Sequence, residues 1–406
     1  MQAASGRDAP DRCPGAVQVH AAADGGLARV RLPGGRLSVA ALAVLRGAAL
    51  DLGDPALELT SRGNIQVRAL RPGAEVELAA RLSAAGLLPS DTHERVRNII
   101  ASPLSGRDGL GELDVRPVVA AYDAGLCADA SLADLPGRFL VTVDDGRGDV
   151  TPLGGDVGLH GDRLVLAGTV MPAGAGTVTP AGAADLLLRA TRAFLAERAE
   201  QGGTAWRLTE LTDGRARVAA RLATSYATDA GQYSGPDRAD VGQYNGFDRA
   251  DVGQYDGRRG PVAGWAPQLD GQAALTVVVP LGLFTQAQSA ALVEAAPGEI
   301  IVTPWRTVVV PDVPVAQAGP VETLLTAAGL VTDPASPWAG VTACAGRPGC
   351  AKALADVRAD ARAAVEAGTV PRDLPVHWVG CERRCGAPKG RHVEMLATAD
   401  GYQVVS

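Results

Sequence analysis

The chain has 406 residues, 47% of them hydrophobic, which is enough for about two or three domains with cores of their own. A net charge of −7 is mild for that length, and no block of like charges occurs, so neither nucleic acid nor a membrane surface is an expected partner. No apolar run approaches the ~18 residues of a membrane span, and MQAASGRDAPDRCPG lacks the basic and apolar regions of a signal peptide, so a cytoplasmic protein of small-molecule chemistry is expected.

In chain order, Ala28 to Leu32 alternates as a strand, Pro33-Gly34-Gly35 is a turn, Ser38 is an N-cap opening a helix, and Leu57 to Val67 is strand, turn and strand. This β-α-β order returns at residues 274 to 310, with Pro280 and Gly282 in the turn, a helix from near Thr285, and a strand running into Thr303-Pro304-Trp305-Arg306. Two further blocks pair in the same order. The run from Arg95 to Pro103 stands where Val341 to Gly349 stands later, and LPGRFLVTVDDG (135 to 146) where LPVHWVGCERRCG (374 to 386) does.

Four paired blocks in one order indicate an α+β chain built by duplication about a pseudo-twofold, with a ligand expected between the copies. The expected division is 1–88 and 261–332 for the two smaller halves, 89–230 and 333–406 for two larger α+β domains, and 231–260 for an insertion. That insertion is GQYSGPDRADV, GQYNGFDRADV and GQYDG, an eleven-residue repeat too polar and too short to bury a core.

Four of the six cysteines fall in two short runs, CAGRPGC and CERRC. In a reducing compartment such clusters are metal ligands or catalytic groups rather than disulfides. Structural zinc favours two to four residues within each pair, so the five between Cys344 and Cys350 suit it poorly, and a polynuclear cluster held on Cys344, Cys350, Cys381 and Cys385 is the better expectation. Arg383, Arg384, Lys389, Arg391 and His392 give that region positive charge facing an anionic cluster. Cys127 and Cys13 are expected to pack, although Cys13 is also open to a second metal.

C-x5-C followed at a distance by C-x3-C resembles the cluster motif of the nitrite and sulfite reductase superfamily. That resemblance implies an internally duplicated fold of two ferredoxin-like half-domains and two larger α+β domains, with a 4Fe-4S cluster on the four cysteines. The Arg31-Leu-Pro-Gly-Gly run, the Thr60-Ser-Arg-Gly-Asn-Ile-Gln run and Arg97-Asn98 resemble elements lining its tetrapyrrole and anion pocket. Within the superfamily the chain is most similar to the precorrin-3B synthase family, through CPG, DGGLARVRLPGG, TSRGNIQVR, VRNIIASP, TPWR and TACAGRPGCAKA. Sulfite reductases carry an L-P-R-K-F-K run whose two lysines bind the anion. Here it is Leu135-Pro-Gly-Arg-Phe-Leu140, in which Arg138 keeps one charge and Leu140 loses the other.

The resemblance implies that precorrin-3A is hydroxylated at a meso carbon with O2 and closed to a γ-lactone, with electrons from an NADH-linked reductase or a ferredoxin. Arg31, Arg62, Arg97, Arg138 and Arg306 are the candidate forks for its carboxylates, each weighed against an ordinary surface ion pair. Asn64 and Gln66 either bind carboxylates or satisfy backbone groups. Oxygen activation by a separate mononuclear non-haem iron would call for two histidines and a carboxylate, for which His20 and His160 are candidates. No catalytic residue is singled out. A small sirohaem-dependent nitrite or sulfite reductase is the alternative, with sirohaem bound only in that case; an iron-sulfur sensor or tetrapyrrole carrier is a third.

Overall fold

The structure is a computed structural model that describes residues 13–171, 179–229, 261–371, 373–388 and 391–405. The 231–260 insertion and Lys389 lie outside the described residues.

The first half opens with β1 (His20–Ala22) and β2 (Gly25–Val30), then a 3-10 turn at Pro33–Gly35 and the short β3 (Arg36–Ser38). The Ser38 hydroxyl accepts the Ala41 N–H at 3.1 Å, which caps α1 (Val39–Leu52) as the sequence predicts. β4 (Leu57–Leu59) and β5 (Ile65–Leu70) follow, then α2 (Ala74–Ala84).

The first larger domain holds β6 (Ile99–Ala101), α3 (Arg116–Ala128), β7 (Val141–Asp144), β8 (Val157–His160), β9 (Arg163–Leu166), β10 (Thr169–Val170), α4 (Pro180–Glu200) and α5 (Gly214–Asp229). The second half repeats the first with β11 (Gly264–Pro267), β12 (Gln272–Val278), a 3-10 turn at Pro280–Gly282, β13 (Leu283–Phe284), α6 (Gln286–Ala295), β14 (Glu299–Val302), β15 (Thr307–Pro314) and α7 (Ala318–Ala327). Thr285 starts α6 with a full capping box against Gln288. The last domain has β16 (Val341–Ala343), α8 (Val357–Glu366), β17 (Val376–Val379), β18 (Val393–Thr398) and β19 (Gly401–Val405).

The two halves exchange a strand. One sheet runs β1-β2-β5-β4-β13 and the other β11-β12-β15-β14-β3, so β13 of the second half pairs with β4 and β3 of the first pairs with β14. Helices α1, α2, α6 and α7 close one core over both sheets, including Leu42, Leu45, Ile65, Leu292, Ile300 and Val308. Reciprocal exchange of this kind gives the pseudo-twofold a physical basis, because neither sheet is complete without the other half.

The larger domains share a topology as well. β6, β7 and β8 are parallel with β9 antiparallel, and β16, β17 and β18 are parallel with β19 antiparallel. Ile99 pairs with Val141 as Val341 pairs with Val376. The paired blocks expected from the sequence therefore match in order but slip along the chain: Ile99, not Arg95, is the counterpart of Val341, and Ser102 stands where Cys344 does. Short apolar strands in a parallel sheet carry no alternation to fix register, which is why the slip is not legible in the sequence.

Candidate active site

The four cysteines sit on two loops, one after β16 and one after β17. The Cys344 N–H donates to the Trp378 carbonyl at 3.0 Å, and the Gly380 N–H donates to Cys344 Sγ at 3.2 Å. Cys350 closes its own turn on the Gly346 carbonyl at 2.8 Å, and the Arg384 N–H closes the second loop on the Cys381 carbonyl at 3.1 Å.

Burial raises the Cys385 thiol, with Arg383 opposing it and Cys344, Cys381 and Cys350 adding to it, so the four thiols share one electrostatic neighbourhood. Yet among the described residues no three of their sulfurs approach within 4.8 Å of one another. A tetrahedral zinc thiolate site needs sulfur separations of about 3.8 Å, as its ~2.3 Å bonds require. Four thiols on two facing loops, without the close approach a zinc ion needs and with one already receiving a backbone N–H, could hold a polynuclear iron-sulfur group.

The first larger domain answers the cysteine loops with a network of its own. Asp144, Asp145 and Asp149 form a buried acidic group after β7, but each is spoken for. Asp144 accepts the N–H groups of Gly146, Gly148, Val150 and Thr151. Asp145 pairs with Arg147, and Asp149 accepts the Ser102 hydroxyl at 2.6 Å. In this copy side chains hold the two loops that the cysteines would hold through a shared group in the other.

Facing the cysteine loops is the polar face of the first sheet. Alternation along β2 and β5 turns Ala28, Val30, Ile65 and Val67 into the core, which leaves Arg29, Gln66 and Arg68 on the opposite face. Arg68 donates to the Gly349 carbonyl at 2.7 Å while forking onto Asp24, and Arg358 of α8 pairs with Glu58 of β4 at 2.7 Å. The matching face of the second sheet packs on the first larger domain instead, where Leu104 covers Ala274, Ile301 and Val309 and Arg107 pairs with Glu299 and Asp312. It is the first sheet whose charged face meets a cysteine loop, through Arg68 and Gly349.

The candidate arginines divide. Arg31 is 2% exposed and among the described residues makes no ion pair: Nε and Nη2 reach the Arg95 and Pro14 carbonyls at 3.3 Å, and Nη1 is buried with no described partner. Burial, then Arg29, push its pKa well down, as uncompensated cations do. Arg62 donates to the Arg138 carbonyl at 3.1 Å and is lowered to about 10 by burial and by Arg207. Arg138 is exposed and lies over the Trp206 ring at 5.7 Å. Arg31 and Arg62, beside Arg29, are close enough to depress one another, and a ligand carboxylate is what that cluster lacks.

Arg97 does not join them. Its fork is closed on Asp123 at 2.7 and 2.6 Å, so it is a structural ion pair tying the segment before β6 to α3 rather than a free carboxylate clamp. Arg306 is buried, lowered to about 10 by burial and Arg358, and donates to the Gly386 carbonyl at 2.9 Å on the second cysteine loop. Asn64 accepts the Leu32 N–H at 2.9 Å, and the amide of Gln66, oriented by its neighbours, donates to Glu58 and accepts from Arg29. Both amides serve the protein's own polar groups.

Leu140 is 3% exposed and packs with Ile100 and Val150 against Leu153 and Trp305, an apolar patch beside Arg138. His160 lies beside Asp144 and Thr151, whereas His20 is exposed on β1, and among the described residues no two histidines and a carboxylate bring their ligand atoms within 4.8 Å of one another. Sequence reasoning missed Arg29, Arg68, Arg207 and Arg358. The alternation of β2 and β5 was a usable signal for Arg29 and Arg68; for the other two only the tertiary fold brings their partners near. Among the described residues no helix is long and apolar enough to cross a membrane.

Residues 20–85 match the model for the nitrite/sulfite reductase ferredoxin-like half domain. The chain is 28% identical over 420 residues to a ferredoxin–nitrite reductase of Synechococcus elongatus, covering 93% of this chain and 78% of that protein. It is 24% identical over 409 residues to a precorrin-3B synthase of a Sinorhizobium species, covering 97% and 82%. Among solved structures, the NirA protein of Mycobacterium tuberculosis superposes with a TM-score of 0.71 at 21% identity, over 93% of this chain and 74% of that one. The chain contains a nitrite/sulfite reductase ferredoxin-like half domain and has the fold of the nitrite and sulfite reductase superfamily.

Proposed function

We propose that the chain is an oxygen-dependent tetrapyrrole hydroxylase that converts precorrin-3A to precorrin-3B. The observation that carries this reading is Leu140, buried among Ile100, Val150 and Trp305 where anion reduction calls for a second cation. Removal of oxygen from a small anion needs fixed charge to meet each developing oxyanion. An apolar patch near the buried Arg31 and half-buried Arg62, which make no ion pair among the described residues, suits a large ring with an apolar body and a carboxylate rim instead. The 24% identity to a precorrin-3B synthase over nearly the whole chain points the same way.

In this reading Arg31 and Arg62 take macrocycle carboxylates, with Arg138 at the rim, and the partly buried Trp305, backed by Leu140, packs the ring and keeps water from it. Cys344, Cys350, Cys381 and Cys385 would hold a 4Fe-4S cluster, which supplies single electrons when bound. One atom of O2 enters the meso carbon and the other leaves as water, which consumes two electrons and two protons from an external donor, a ferredoxin or an NADH-linked reductase. The cytoplasm, where such donors and the substrate occur, is the proposed location.

A sirohaem-dependent nitrite or sulfite reductase is the second reading, favoured by the 28% identity to a nitrite reductase. Incubation of the reduced protein with precorrin-3A separates the two. The proposal expects a hydroxylactone in air and none anaerobically. Oxygen-independent turnover, or a strong sirohaem band in the protein as isolated together with nitrite or sulfite reduction, overturns it.

A further inference from the structure

Arg306 occupies a place that its counterpart in the first copy leaves empty. In both halves a threonine carbonyl accepts the N–H three residues on, Thr60 from Gly63 and Thr303 from Arg306, each at 3.2 Å. Both turns place that third residue in left-handed backbone, at φ 65° for Gly63 and 59° for Arg306. A side chain in that conformation carries strain that glycine avoids, and such strain persists where the surroundings use it.

The surroundings do. The guanidinium runs between two glycines that leave it room: a Cβ on Gly282 would lie 2.6 Å from Arg306 Cδ, and one on Gly386 would lie 2.7 Å from Nη2. Nη2 donates to the Gly386 carbonyl, directly after Cys385, and the side chain interacts electrostatically with Cys344 on the other cysteine loop. Among the described residues it makes no ion pair: Glu58, which also acts on it at longer range, is paired to its neighbour Arg358. A buried positive charge is therefore left over between the two cysteine loops.

We infer that Arg306 is a positioning residue for the iron-sulfur group rather than a substrate fork: it clamps the second cysteine loop through the Gly386 carbonyl and supplies the buried cation that stabilises the reduced group. The inference rests on the four cysteines holding an iron-sulfur cluster, as proposed above. Reduction adds one negative charge, and a desolvated cation beside it favours the reduced state, since net charge and hydrogen bonding set cluster potentials.

The test is the midpoint potential, by EPR-monitored titration, of the full-length protein and two variants, with iron and sulfide counted per chain. Arg306→Gln retains a donor for Gly386 but no charge; Arg306→Lys retains the charge. The expected result is a potential shifted to more negative values in Arg306→Gln and near the original in Arg306→Lys. Loss of iron from Arg306→Gln but not from Arg306→Lys supports the inference too, because only charge separates the two. Equal potentials in all three proteins, or equal loss of iron from both variants, overturns it while leaving the cysteine assignment intact. A starting protein without iron and sulfide overturns both.

Discussion

Arg68 reaches from the first sheet to the cysteine loop: its Nη2 donates to the Gly349 carbonyl at 2.7 Å while its Nε and Nη2 fork onto Asp24. Glu58 stands 3.5 Å from the same guanidinium and is shared with Arg358 on α8. Substitution Arg68→Ala leaves largely buried carboxylates short of a cation and frees the loop. A loss on the order of 3 kcal/mol is expected from urea unfolding, together with less iron bound per chain. Unchanged unfolding would mean that water already compensates Asp24 and Glu58.

Arg31 behaves in the opposite sense. A buried guanidinium with an unpaired Nη1 destabilises the ligand-free protein, so Arg31→Met is expected to leave stability unchanged or higher by about 1 kcal/mol. The same variant should bind a polycarboxylate macrocycle at least about tenfold more weakly, the cost of a charge-assisted hydrogen bond. Calorimetric melting with and without ligand measures both; a destabilised apo-protein with intact affinity would assign Arg31 to the scaffold.

The cysteines separate into two sets. Serine at Cys344, Cys350, Cys381 or Cys385 is expected to cut iron and sulfide content severely. Cys127→Ser should keep nearly all of it, because Cys127 packs in the first larger domain beside Arg97 and Asp123. Iron and sulfide analysis of the purified variants decides this, and equal loss at Cys127 would contradict the assignment.

Acid should loosen the contact between the first larger domain and the second sheet. Burial pushes the Asp312 carboxyl up, but Arg107 and Gln268 outweigh it and hold its pKa below the ordinary value. A carboxyl depressed on folding contributes stability that is fully present above its unfolded pKa and lost as pH falls through the folded one. Asp312→Asn should therefore lower stability at pH 7 and flatten its decline below about pH 4. Parallel pH curves for the two proteins would show that Asp312 is not the group responsible.

Much of the fold was legible because local signals agreed. Ser38 and Thr285 cap their helices, and the repeated β-α-β order yields two sheets with one topology. The strand exchange was not legible, since β3 and β13 are two or three residues long and carry no pattern of their own. In the site, cysteine spacing marked the two loops, and glycine-rich blocks marked the arginines. Whether an arginine is free depends on a carboxylate far along the chain. Asp123 disposes of Arg97, while among the described residues no carboxylate pairs with Arg31. Arg306 looked like a substrate fork in TPWR, but the turn directs it toward Gly386.

The most direct test of the proposed function is a turnover of precorrin-3A under 18O2, followed by mass spectrometry of the product. The account predicts a hydroxylactone that carries one labelled oxygen atom, with the second label released as water. A product without label, or reduction of nitrite or sulfite with the macrocycle unchanged, would contradict it.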